Sequence, residues 1–140
     1  MATWTLVIET EPPIPMICED GTGIEKGTLL KLEDAYKVSA STGDEDTIAG
    51  VAAEEKIADD GKTKIAVYRE GIFKAVAGGN CTAGKALASY SGSGDENDVI
   101  DGTSTTLHSK ALGIALETAT DGETLLVELC PGKATINALS

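Results

Sequence analysis

A chain of 140 residues with 11 basic and 23 acidic side chains carries a formal net charge of −12 and is long enough for one domain with a modest core. That charge excludes a binder of nucleic-acid backbones, which needs clustered Lys and Arg, and weighs equally against a membrane-surface protein. Aromatic residues make up only 4% of the chain, so aliphatic and alanine side chains must supply most of the packing, and oligomerisation is expected to support so slight a core.

The first element is a β-prone run, Trp4-Thr5-Leu6-Val7-Ile8. Glu11-Pro12-Pro13-Ile14-Pro15-Met16 follows and reads as extended chain with polyproline character, because each proline lacks a donor and fixes φ. It ends at the loop Glu19-Asp20-Gly21-Thr22-Gly23. These features predict an extended N-terminal arm over residues 1–23, ahead of a single β-barrel-like domain over 24–140. Two roles are open to such an arm: an edge strand with a Pro-rich connection, or a strand that adds to a partner's sheet.

From Ile24 onwards short β segments alternate with turns. The predicted strands are Thr28–Leu32, Tyr36–Ser39, Ile48–Ala53, Thr63–Arg69, Ile72–Val76, Lys85–Tyr90, Ala111–Glu117 and Thr124–Leu129. Turn clusters such as Asp59-Asp60-Gly61, Ala77-Gly78-Gly79-Asn80 and Asp121-Gly122 separate them. One window, Glu54–Ala58, is helix-like and could form a single turn. Many short strands at close spacing define an all-β barrel or sandwich.

One strand–turn unit occurs twice. Lys26-Gly27-Thr28-Leu29-Leu30, Ile48-Ala49-Gly50-Val51-Ala52-Ala53-Glu54 and Asp60-Gly61-Lys62-Thr63 match Ala83-Gly84-Lys85-Ala86-Leu87, Ala111-Leu112-Gly113-Ile114-Ala115-Leu116-Glu117 and Asp121-Gly122-Glu123-Thr124. The glycine inside the central strand predicts a bulge or a close backbone approach, and Asp-Gly predicts the turn after it. In the last strand the apolar phase slips by one between copies, Ile65 and Val67 against Leu125, Val127 and Leu129.

No constellation here carries chemistry. Gly79-Asn80-Cys81-Thr82-Ala83-Gly84-Lys85 has phosphate-loop spacing, but Ala86 stands where a hydroxyl is needed and no long helix can follow. The repeat accounts for Gly84 as the counterpart of Gly27. His108, the single histidine, has Ser104, Thr105 and Thr106 nearby but no nucleophile elbow. Asp44-Glu45-Asp46 and Asp95-Glu96-Asn97-Asp98 offer hard oxygens without a calcium-loop spacing. Neither a metal nor another cofactor is expected. Cys18, Cys81 and Cys130 are odd in number and form no C-x-x-C pair, so they read as small buried hydrophobes of a reducing compartment. The start lacks a secretion-signal pattern, and no run approaches the ~18 apolar residues of a membrane span.

In these segments the sequence resembles the small head-decoration, or cement, proteins of tailed phages and related prokaryotic viruses. The resemblance rests on the Pro-containing arm, Gly27-Thr28-Leu29-Leu30-Lys31-Leu32, Ile48–Ala52, Ile65-Ala66-Val67-Tyr68-Arg69-Glu70-Gly71-Ile72-Phe73 and Ala111–Glu117, nearly the whole chain. It implies a small barrel or β-tulip that trimerises on the outside of an icosahedral capsid, with the major capsid protein as partner, after assembly in the host cytoplasm. It further implies capsid binding by strand addition through the arm, at Thr3, Trp4, Thr5, Leu6, Val7, Ile8, Pro12, Pro13, Ile14 and Pro15. An unpaired β segment there can donate main-chain hydrogen bonds, with Trp4 as anchor. Other readings are another virion β component, such as a head-fibre base or tail-associated domain, and a soluble ligand- or carbohydrate-binding module. Carbohydrate sites use aromatic platforms, which are scarce here. An enzyme would need a nucleophile–base pair that does not appear.

Overall fold

A computed structural model describes residues 3–42, 46–90, 97–102 and 110–131. Its strands are β1 (Thr5–Ile8), β2 (Ile14–Ile17), β3 (Leu29–Asp34), β4 (Lys37–Ala40), β5 (Ile48–Ala52), β6 (Lys64–Tyr68), β7 (Gly71–Val76), β8 (Ala86–Tyr90), β9 (Asp98–Asp101), β10 (Gly113–Ala115) and β11 (Thr124–Leu129). The all-β reading is correct. Strands β2, β4, β3, β5 and β6 close into a barrel, and the other six form a sheet in the order β1-β7-β11-β10-β8-β9.

The duplication is structural. In the first unit β6 pairs with β2 and β5, and β3 pairs with β5 and β4, all antiparallel. A parallel contact, Ile17 to Lys37, joins β2 to β4 and closes the ring. In the second, β11 pairs with β7 and β10, and β8 pairs with β10 and β9. There Ala77, just past β7, forms a parallel bridge to Val99 of β9. Individual bonds repeat as well. Gly27 N donates to Ala52 O at 2.9 Å, as Gly84 N does to Ala115 O at 2.7 Å. The Glu54 carboxylate accepts from Ala66 N at 2.8 Å, as the Glu117 carboxylate does from Leu126 N at 2.9 Å.

Each interior is the apolar phase of its strands. Leu30, Ala49, Ala52, Ile65 and Val67 fill the first unit, and Leu87, Leu112, Ala115, Leu125 and Val127 occupy the same places in the second. Ile65 thus matches Leu125 and Val67 matches Val127, so the predicted phase slip is absent from the strands. The first copy has one extra residue between the turn glycine and the strand.

The stretch predicted as an arm is placed against the body. β1 pairs antiparallel with β7, and β2 lies in the closed barrel. Pro15 is tolerated in β2 because it faces Ala66, whose N–H goes to Glu54 and whose carbonyl accepts from Ala53. That pair exchanges no ladder bond, so the missing proline donor costs nothing there. Three further expectations need correction. Tyr36 is a turn residue with φ 56° rather than the start of a strand, and β10 spans only three residues. The Glu54–Ala58 window is not helical: Lys56 instead bridges Ile24.

Lys56 is the largest departure between the two copies. Its ammonium is buried and touches Asp60 Oδ1 at 2.8 Å, Asp20 Oδ1 at 3.2 Å, Asp20 O at 2.9 Å and Ile57 O at 2.7 Å; the corresponding bridge of the second unit, Cys81 to Ala119, has no charge. Burial works against the ammonium, but the Asp60 and Asp20 carboxylates outweigh it and raise its pKa. The Lys56 hydrogen bond, helped by Lys62 N–H, lowers that of Asp60. The lowered Asp60 adds stability above the ordinary Asp value of 3.8, and that stability is lost as pH falls below it. The raised Lys56 adds stability below the ordinary Lys value of 10.5, lost as pH climbs past it. Lys56→Ala should lower the melting midpoint at pH 7 by on the order of 10 °C. It should also flatten the acid and alkaline limbs, and equal melting curves for variant and parent across pH 3–11 would refute the assignment.

Candidate docking surface

The outer face of the six-stranded sheet and its β1 edge form an extended surface on which large apolar side chains meet; Ile17, Leu32 and Tyr36 are exposed elsewhere, around the β3–β4 turn. Directly opposed residues share a face of a sheet. Ile8 lies opposite Ile72, Ile72 opposite Glu128, Glu128 opposite Ile114, and Ile114 opposite Ala86. The next row runs from Thr5 through Lys74 to Leu126, and Leu116 N–H donates to Leu126 O. Ile8 is 52% exposed and Leu116 41%; Ile72, Ile114 and Leu126 are half-buried. Lys74 and Glu128 are exposed charges on this face.

β1 is the outermost strand, with β7 on one side only. A register shift between Leu6 and Ile8 leaves Val7 without a partner opposite and 49% exposed. An edge strand of this kind presents main-chain donors and acceptors to another strand.

The predicted site residues divide between core and surface. Trp4 is core: it donates from Nε1 to Asn97 O at 2.9 Å and meets the Phe73 ring edge-on, centroids 5.8 Å apart. Its backbone N–H bonds Gly27 O, and Leu29 N–H donates to the side-chain Oδ1 of the same Asn97 at 2.8 Å. Trp4 therefore ties β1 to both units rather than standing out as an anchor. Leu6 packs against the same core and Ile14 against the first unit's interior. Thr5, Val7, Ile8, Pro12 and Pro15 are exposed; Thr3 and Pro13 are half-buried.

The remaining sequence signals have structural roles. Gly84 takes φ 90° and Gly27 φ 88° in matching turns, and β8 follows the phosphate-loop-like segment where a helix would be needed. Asp46 accepts from Ser41 and Thr42, bracing its own loop, and Asp101 at the end of β9 accepts from Thr82, bracing the turn before β8. Asp44, Glu45, Asp95, Glu96, Ser104, Thr105, Thr106 and His108 lie outside the described residues. No group of three metal-ligating side chains exists among the described ones. Burial pushes the Cys81 thiol up to about 12, as an inert core cysteine. Sequence reasoning missed β9 and with it Asn97; Asp98-Val99-Ile100-Asp101 has only two apolar residues and sits among acids and glycines.

A family model described as phage cement protein matches residues 8–130. Among solved structures, the fold is similar to the head fiber gp8.5 N base of bacteriophage phi29, at 15% identity and TM-score 0.52, over 84% of this chain and 92% of that one. No curated protein matches.

Proposed function

Since the chain belongs to the phage cement protein family, whose members are structural components of the virion, we propose that it binds the outer surface of an icosahedral capsid as a trimer and stabilises the shell. Its role is non-enzymatic and its partner is the major capsid protein. A cement protein resists expansion through many repeated contacts, so avidity across copies takes the place of a deep pocket. Among the described residues, a depression open to solvent is lined by Glu11, Arg69, Glu70 and Pro131.

The observation that carries this reading beyond the family is the open β1 edge. Because β1 is already held by β7 and by Trp4, strand addition takes the form of a capsid segment pairing along its free side. Lysine on an edge strand opposes such pairing. Val7→Lys should weaken co-sedimentation with expanded capsids on the order of tenfold, about 1.4 kcal/mol, with an unchanged melting midpoint. Undiminished capsid binding by a folded Val7→Lys protein would rule out the edge.

A further inference from the structure

We propose that Pro13 and Pro15 close the outer edge of β2 to strand addition, so that the open β1 edge of one copy cannot extend the first barrel of another. The inference stands on the duplication and on the β1 edge, and makes no use of what a capsid offers. In the second unit the start of β7 carries an added strand, with Thr5 of β1 opposite Lys74 and Ile8 opposite Ile72. Ile14 and Phe73 are equivalent, since they oppose Val67 and Val127. Pro13 therefore stands where Ile72 stands, and Pro15 where Lys74 stands. Two positions that meet the added strand in the second unit are thus prolines in the first.

The direction of the main chain gives those prolines their effect. Pro15 and Ala66 exchange no ladder bond, so the nitrogen and carbonyl of Pro15 point away from β6. Ile17, two residues on, shows what lies on that side. Its N–H donates to Tyr36 O at 2.9 Å, beside the Ile17–Lys37 contact that joins β2 to β4. β4 begins at Lys37, after the Ala35-Tyr36 turn, and among the described residues no strand is paired with β2 opposite Pro15 on this side. An incoming strand would meet a ring carbon where an amide hydrogen is needed, and its own carbonyl would be left without a donor. Pro15 is exposed, so packing does not account for it, whereas proline on an edge is a means of blocking further pairing. The β1 and β2 edges are different surfaces, so their pairing would be head to tail and would run on into filaments unless its rotation closed a ring.

Restoring both donors tests the closure. Pro13→Val with Pro15→Val should keep a cooperative melting transition within a few degrees of the parent's. By light scattering at a concentration on the order of 100 µM, the double variant should have a mean mass at least about twice the parent's. Adding Val7→Lys, which blunts the edge on the other side of the contact, should return the mass to the parent's. A folded double variant with the parent's mass overturns the proposal, and so does a gain in mass that Val7→Lys leaves in place. Should the double variant fail to melt cooperatively, Pro15→Val alone takes its place and is read in the same way. Parent protein that does not co-sediment with expanded capsids would refute the docking reading of β1 without touching these mass comparisons.

Discussion

Gly50→Ala and Gly113→Ala should each abolish the cooperative fold, at a cost above about 4 kcal/mol. A Cβ at Gly50 would lie 2.1 Å from the Tyr68 carbonyl oxygen and 2.8 Å from Val67 Cγ1; at Gly113 it would lie 2.1 Å from the Glu128 oxygen. The obstacle is the backbone of the neighbouring strand, so no rotamer change relieves it. β6 lies between β2 and β5 and β11 between β7 and β10, so moving either by the ångström required would break a ladder on both of its sides. Gly61→Ala and Gly122→Ala are the controls. Those turn glycines take φ 84° and 87° with nothing near the added methyl, so only conformational strain of about 1 kcal/mol applies. Chemical denaturation of the four variants reads the difference directly, and a Gly50→Ala protein as stable as Gly61→Ala would contradict the close approach.

Trp4→Ala is the second large effect, with an expected loss of about 3–5 kcal/mol. The substitution removes the biggest side chain at the junction of the units, its edge-on contact with Phe73 and its bond to Asn97 O. Without it β1 keeps its pairing with β7 and the packing of Leu6. The midpoint should fall on the order of 10 °C, measured by scanning calorimetry, while Trp4→Phe should recover most of the loss. A Trp4→Ala protein that melts like the parent but fails on capsids would return Trp4 to the role of exposed anchor.

These two predictions show where local pattern suffices. The interiors were legible because both copies state the same period: Leu30, Ala49, Ile65 and Val67 reappear as Leu87, Leu112, Leu125 and Val127. Gly50 and Gly113 were legible as close approaches because a glycine amid apolar β residues gives up packing that only a bulge or a near neighbour compensates. The placement of residues 3–23 was not. Pro12, Pro13 and Pro15 rule out a central strand on local grounds, and only the register with Ala66 makes Pro15 acceptable in β2. The candidate surface was half legible. Val7 and Ile8 stand out in the sequence, but Ile114, Leu116 and Leu126 read as core until the sheet shows which side they face.

Two copies of one pairing scheme in a single chain also pose a recognition problem during folding. β7 presents to β6 nearly the same apolar phase as β2 does, so a misassembled ring is a close competitor. Lys56 supplies the discrimination. Its ammonium is buried only where the loop after β2 brings Asp20 to it, and the turn after β7, Ala77-Gly78-Gly79-Asn80, carries no acid. The wrong strand would leave a buried cation short of a partner, a penalty of the kind that selects one register over another. The ion cluster thus works as a label that tells the first unit's own strand from its duplicate.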